Sequence, residues 1–261
     1  MSVKRVVFNQ KGGVGKTSIT CNLAAIDAAA GLRTLVIDLD VQGNTTHYLV
    51  GEIDAEAYPA EAQGVSGLFK QTVGPRRMSR NPDAFVWETA WEHLYLMPSS
   101  PALAELEREL EARYKIYKLR DALEKLADLY DRIYVDTPPN FNFFSKSALI
   151  AADRVLIPFD CDSFARQSLY ALMDNIAELR EDHNEDLEVE GIVINQFNSQ
   201  ARLPAELVAE LQDEGFPVLR TFLGSSVKMR ESHYQQRPLV DLAPSHKLTQ
   251  QFLELHAELG G

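Results

Sequence analysis

The stretch VKRVVFNQKGGVGKTS, Val3 to Ser18, runs from an apolar β-rich segment through a glycine turn into a helix signal. Val3–Asn9 reads as a buried strand, and Thr17–Ala30 as an alanine-rich helix closed by Gly31. Strand, glycine loop and helix in that order aim successive backbone N–H groups and the positive end of a helix at one point, which is a cradle for an anion. Gly15, Lys16 and Thr17 complete the phosphate-loop pattern GxxxxGK[ST], with Gln10 standing where its first glycine should be. Gly12, Gly13 and Gly15 let the backbone approach phosphates closely. Lys16 can reach the β- and γ-phosphates, and the Thr17 hydroxyl can ligate Mg²⁺. Val14 and Ser18 complete the nucleotide-binding loop. Lys11 is a second lysine on the outer side of the turn, where stereochemistry alone makes it a solvated surface residue.

Outward from this unit, strand and helix signals alternate. Thr34–Asp38, the run HLYLMPSS from His93 to Ser100, Arg132–Asp136, Arg154–Phe159 and Gly191–Asn195 are short and nearly continuous in apolar residues. Such strands are buried on both faces, so the fold class is α/β, a mostly parallel twisted sheet with helices on both sides. Ser100 before Pro101 predicts a helix start, with Leu103, Leu106, Leu110, Tyr114 and Tyr117 at helical spacing. Gly51 to Ala90 is irregular and carries the basic GPRRMSR segment from Gly74; it reads as a surface excursion with a short helix over Val65–Lys70. No repeat, low-complexity tract or linker interrupts the 261 residues, so residues 1–261 are expected to form a single domain.

Composition narrows the function classes. Hydrophobic residues make up 45% of the chain, enough for a full core. No run of 18 apolar residues and no charged-then-apolar leader is present, so the expected location is cytoplasmic. Cys21 and Cys161 cannot build a disulfide framework or a CxxC site. A net charge of -12 argues against a chain coated with nucleic acid and confines any DNA contact to a local patch.

Acidic residues then fall where the chemistry of a phosphate site needs them. Asp136 ends the apolar run RIYVD, which suits a carboxylate that holds Mg²⁺ directly or through water. Asp38 and Asp40 end the run VIDLD, and two carboxylates at the carboxyl edge of a parallel sheet, beside a phosphate loop, fit catalysis better than capping.

Together, KGGVGKTS from Lys11, VIDLDVQGN from Val36 and YVDTPPN from Tyr134 closely resemble the deviant Walker A family of P-loop ATPases, especially its ParA branch. The similarity continues through SALIAADRVLIPFDCDSFA from Ser147 and covers nearly the whole chain, most weakly over Gly51–Ala90 and the last third. The resemblance implies ATP and Mg²⁺ as cofactors, ATP hydrolysis, and an ATP-dependent homodimer in which Lys11 reaches the partner's nucleotide. A cation delivered in this way is worth about 10³ to 10⁵ in rate. It further implies that Asp40 orients the attacking water, that Asp38 supports the Mg²⁺ shell, and that Asn195 holds the adenine, an amide being able both to donate and to accept. The family more often carries proline where Val41 stands, a departure that loosens this segment without removing a reacting group.

Relatives of other classes fit less well. A nitrogenase-iron-protein-like reading needs bridging cysteines, whereas Cys21 and Cys161 read as core thiols. A MinD-like membrane cycle needs a basic amphipathic C-terminus, but Glu254 and Glu258 dominate the polar face opposite Leu248, Phe252, Leu255 and Leu259. A dethiobiotin-synthetase-like enzyme has no need of Lys11. The ParA resemblance implies nonspecific DNA of the nucleoid as a partner in the ATP state, together with a ParB-like activator or cargo adaptor. Lys228, Arg230 and Arg202 stand at places that resemble the family's DNA-contacting segments, and Arg76, Arg77 and Arg80 form a competing patch. The first strand signal begins at Val3, so the N-terminal helix-turn-helix domain of longer plasmid ParA proteins is not expected.

Overall fold

A computed structural model describes residues 2–50, 64–73, 80–161, 165–197 and 202–260. Arg76 and Arg77 lie outside these described residues.

The apolar runs become a single sheet. Its strands are β1 (Val3–Val7), β2 (Thr34–Asp38), β3 (Trp87–Glu88), β4 (Leu94–Met97), β5 (Arg132–Asp136), β6 (Arg154–Phe159) and β7 (Glu188–Ile194), in the spatial order β3-β4-β2-β5-β1-β6-β7. Every pairing is parallel except that of the edge strand β3 with β4. Alternation along each strand divides the core into two layers. Val6, Leu35, Ile37, Ile133 and Val135 pack into one, while Val7, Val36, Tyr134, Leu156 and Val193 pack into the other. Both faces are therefore covered, which accounts for the nearly continuous apolar runs at the centres of these strands.

Helices α1 (Lys16–Ala29), α2 (Asn44–Val50), α9 (Val227–Tyr234), α10 (Leu239–Leu242) and α11 (Lys247–Glu258) cover the second layer. The first layer lies under α3 (Gly64–Val73), α4 (Leu103–Ala112), α5 (Lys118–Leu126), α6 (Phe143–Ala151), α7 (Ala165–His183) and α8 (Arg202–Asp213). The C-terminal residues Leu248, Phe252, Leu255 and Leu259 are buried against α1 and the sheet, so their apolar stripe is core and not a membrane face. Among the described residues no helix is long and apolar enough to cross a membrane.

Two expectations are corrected. The helix predicted from Ser100 through Tyr117 is shorter: α4 ends at Ala112, and α5 begins only at Lys118. Tyr114 takes a left-handed φ of 54°, and the Tyr114 and Lys115 N–H groups turn back onto Glu111 and Leu110, a capping turn that ends α4 and leaves Tyr114 exposed. Ser100 caps nothing: α4 begins at Leu103, and the Ser100 hydroxyl is buried without a hydrogen-bond partner. The Gly51–Ala90 region is also more than a surface excursion, because α3 buries Val65, Leu68 and Phe69, and Trp87 lies in β3. Gly64, at φ 53°, is needed where α3 starts, since a Cβ there would lie 2.1 Å from the Pro98 carbonyl oxygen.

A buried polar chain joins strands and helices from both halves of the sequence. The Arg5 guanidinium donates twice to Glu190, at 2.6 Å each, and once to the Tyr134 hydroxyl at 2.8 Å. Tyr134 in turn donates to Asp27 on α1 at 2.6 Å, and His256 of α11 lies 2.7 Å from the other Asp27 oxygen. Removing one member leaves the others desolvated and unpaired, a loss of about 3–5 kcal/mol for a buried ion pair. Glu190→Ala is therefore expected to lower the melting temperature by roughly 2–4 °C for each kcal/mol lost. The double change Arg5→Met, Glu190→Leu should recover most of the loss. Calorimetric unfolding of both variants checks this.

Candidate phosphate-binding site

β1 delivers the chain to the sheet's carboxyl edge, where the glycine loop turns back into α1. Gly13 and Gly15 have φ of 78° and 94°, a region that side-chain-bearing residues rarely adopt. Gly15 is also the N-cap of α1 and brings no side chain to it, so the first N–H groups of the helix face outward uncapped by any side chain. A Cβ at Gly15 would lie 2.2 Å from the Asn195 amide nitrogen, because that amide crosses over the loop and donates to the Val14 carbonyl at 2.8 Å. Gln196, at φ 56°, does the same to the Gly13 carbonyl at 2.9 Å. The loop is thus held from outside by two consecutive amides following β7.

Lys16 is buried, and its ammonium donates to the Lys11 carbonyl at 2.9 Å. Burial lowers its pKa, while Asp136 and Asp40 oppose that shift and keep a cation in place. Lys11 is half-buried, and its N–H donates to Asn9 at 2.9 Å. Asn9 also donates to the Pro158 carbonyl at 2.7 Å, which fixes the start of the loop to β6.

The strand register sets the carboxylates. Asp38 and Asp136 are paired neighbours on β2 and β5, both fully enclosed. Asp136 accepts from the Thr17 and Thr45 hydroxyls, each at 2.7 Å, and Asp38 accepts from the Thr46 N–H and hydroxyl at 2.8 and 2.7 Å. Burial raises both pKa values well above the usual carboxylate range; for Asp38 the neighbouring Asp136 charge adds to the rise. Asp40 is half-buried and accepts from the Gln42 N–H at 3.0 Å. It lines a cavity of about 670 Å³ together with Gly12, Gly13, Gly15, Lys16 and Thr17.

These residues fit a nucleotide with Mg²⁺. Two desolvated carboxyl groups that bind protons in preference to ionising together suit a hard divalent cation, which can take the protons' place beside the threonine hydroxyl. Among the described residues no group of three or more His, Cys, Asp or Glu could hold a metal ion alone. An incomplete ligand set of this kind suits Mg²⁺, which keeps waters and shares its shell with phosphate oxygens.

The expected residues Lys11 through Ser18, Asp38, Asp40 and Asp136 all converge on this edge. The DNA candidates do not gather in the same way. Lys228 is ion-paired with Glu231 on its own helix, and Arg230 lines a cavity of about 340 Å³ beside Gly15, Ser18 and Asn195. Arg202 starts α8, and its side chain lies outside the described part of the structure. Cys21 is buried, with its thiol pKa pushed well up by burial, and Cys161 is half-buried, both as expected of thiols outside a cluster site. Sequence reasoning missed Thr45, Thr46, Gln196 and His233. None belongs to a spaced motif; the only signal was that the two threonines follow VIDLDVQGN directly.

Comparison with known proteins gives four likenesses. The profile of a family described as an AAA domain matches residues 4–189. The chromosome partitioning protein ParA of Myxococcus xanthus is 31% identical over 258 residues, covering 97% of this chain and 86% of that protein. Among solved structures, apo McdA of Cyanothece superposes with a TM-score of 0.86 at 21% identity over the whole of both chains. Cobyrinic acid a,c-diamide synthase of Mycobacterium smegmatis, solved with a bound ATP analog and magnesium, superposes at 0.83 with 24% identity, covering 98% of this chain and 93% of that one. At these identities the two structures show the fold.

Asp136→Asn isolates the charge conflict. The threonine hydroxyls can rotate to accept from an amide, so the fold tolerates the change while one buried negative charge disappears. Without cation the variant is expected to melt higher than the parent chain, by about 2–4 °C per kcal/mol of relieved repulsion. The added stability that Mg²⁺ and nucleotide give the parent should vanish. Because both carboxyl pKa values are raised by folding, their contribution to stability is present at low pH and is lost as pH rises through the folded values. The stability gain of the variant should therefore be larger at pH 8.5 than at pH 5, as melting curves across that range would measure.

Proposed function

The chain belongs to the ParA family of P-loop ATPases, and we propose that it is a positioning ATPase whose ATP-bound form is a homodimer on nonspecific DNA. The carrying observation is the register-matched pair Asp38 and Asp136, set beside Thr17 and Lys16 at the mouth of a glycine loop. Residues Gly12 to Ser18 bind the phosphates of ATP through their backbone N–H groups, and Lys16 contacts the β- and γ-phosphates. Thr17, Asp38 and Asp136 would hold Mg²⁺, which would supply positive charge to the phosphate oxygens. Asp40 stands on the cavity wall and orients the attacking water. Lys11, at the outer edge of the loop, serves the nucleotide of a partner copy.

Phosphoryl transfer needs positioning and charge neutralisation more than covalent chemistry. A lysine supplied across an interface makes hydrolysis wait for dimerisation, and loss of the γ-phosphate then removes the contacts that hold the two copies together. Asn195 rests on the Val14 carbonyl and lines the cavity beside the loop, so the adenine is read there by its amide with Arg230 close by. Cargo release is triggered by a ParB-like activator or cargo adaptor. On a surface of net charge -12, DNA contact falls to local cations such as Lys228, doubled in the dimer.

Lys11→Ala is expected to keep ATP affinity through Lys16 while losing ATP-induced dimerisation, with turnover falling by about 10³ or more. Size-exclusion chromatography and steady-state hydrolysis measure both, and normal turnover in this variant would overturn the dimer. DNA should bind only with ATP, without sequence preference, and more weakly as salt rises. Lys228→Glu should weaken that binding and flatten its salt dependence by about one unit of slope per contact, with ATP-induced dimerisation unchanged. Fluorescence anisotropy on a duplex at several salt concentrations reads this, and unchanged affinity would move the DNA site away from α9.

A further inference from the structure

Helix α9 carries no residue of the phosphate-loop motif, yet it reaches the loop. His233 Nε2 lies 2.7 Å from the Ser18 hydroxyl oxygen. The imidazole is fixed there by a stack on the Tyr48 ring, with centroids 4.3 Å apart and planes 19° from parallel. Tyr48 is itself fully buried and hydrogen-bonded to Ser232 and, at 3.3 Å, to the Asn22 amide, so the ring beneath His233 does not move freely.

Ser18 has a particular place. It lines both the 670 Å³ cavity that holds Lys16 and Asp40 and the 340 Å³ cavity that holds Asn195 and Arg230. A nucleotide whose β- and γ-phosphates lie at Lys16 and whose base lies at Asn195 has its α-phosphate at that junction. His233 lines the first cavity on the α9 side. Burial, and then the nearby His47, lower the His233 pKa, which favours the neutral imidazole with a single N–H; carried on Nε2, that N–H faces both the Ser18 hydroxyl oxygen and a phosphate oxygen at the junction.

We propose that His233 is an additional nucleotide ligand of this chain, donating to the α-phosphate at the Ser18 junction and thereby tying α9 to the bound nucleotide. This rests on the reading of Gly12–Ser18 as the phosphate site. A hydrogen bond to a charged group buried from water is worth about a tenfold change in affinity or somewhat more. Because ATP and ADP share the α-phosphate, the contact contributes equally to both. The stack on Tyr48 fixes the ring independently of the nucleotide, so the ligand is preorganised.

Two variants separate ligation from packing. His233→Phe keeps a flat ring over Tyr48 but cannot donate, whereas His233→Gln keeps a donor of similar reach without the stack. Titration of each protein with fluorescent ATP and ADP analogues, beside a melting curve, gives the readout. For His233→Phe the expected result is about tenfold weaker binding of both nucleotides with an unchanged melting temperature, and His233→Gln should recover most of the affinity. Parent-like affinity in His233→Phe overturns the proposal. Loss of ATP affinity alone also overturns it, since the contact would then lie nearer the γ-phosphate. Should His233→Phe melt early, His233→Gln decides: near-parent affinity supports ligation, and a tenfold loss points to packing and overturns it. Failure of the parent protein to bind either nucleotide is a distinct result, which overturns the phosphate-site reading itself.

Discussion

Two carboxylates that repel each other are held side by side by the backbone. Asp38 and Asp136 close adjacent parallel strands in matched register, so neither can withdraw without shifting a strand that is buried on both faces. Threonine hydroxyls and backbone N–H groups reduce the cost, but they do not supply a counter-charge. The cost of ionising both groups, only partly offset by the Lys16 ammonium, makes the carboxyl edge a place where a divalent cation is stabilising. The nearby glycine loop, with the uncapped start of α1 and the Lys16 ammonium, makes the same place attractive to phosphate. Cation and polyphosphate complete each other there, and neither is fully provided for by the protein alone.

The residues that soften the repulsion also transmit it. Thr45 and Thr46 belong to α2, which next presents Tyr48 to His233 and Ser232 on α9. Asn22 of α1 ties the arrangement together, since its amide donates to Ser18 and Tyr48 and its carbonyl oxygen accepts from the Leu239 N–H. A change in charge at Asp136 is therefore two contacts and one turn of α2 away from the helix that bears Lys228 and Arg230. Each contact is a hydrogen bond or an aromatic stack between buried groups, the kind of connection that is either made or broken and does not stretch gradually.

Elsewhere in the molecule, the chain from Glu190 through Arg5, Tyr134 and Asp27 to His256 fastens α1 and α11 to the strands. It uses charges of opposite sign in direct contact, where the phosphate site uses like charges. The same helix α1 is thus anchored by a satisfied network along its length and left uncapped at its N-terminal end. Stability and function are assigned to different parts of one element.

The sequence by itself determined six of the seven strands, the α/β class and the phosphate loop, because these rest on local signals: continuous apolar runs for double burial, glycines where φ turns positive, and a lysine and threonine at fixed spacing; the two-residue edge strand β3 carries no such run. Asp38, Asp40 and Asp136 were legible for the same reason, each ending such a run. The break of α4 at Tyr114 was hidden, since helical spacing continues through it and only a left-handed residue ends the helix. The roles of Thr45, Thr46, Gln196 and His233 were hidden more deeply. Except for Thr46, which bonds Asp38 eight residues before it, their partners lie far away in the sequence, 215 residues in the case of Ser18 and His233, and a hydroxyl or imidazole acquires a role only when folding brings a particular partner within 3 Å. Local sequence specifies backbone conformation and burial, which depend on near neighbours; only the tertiary structure decides which polar groups satisfy one another across the sheet, because that depends on register and layer packing that no short window contains.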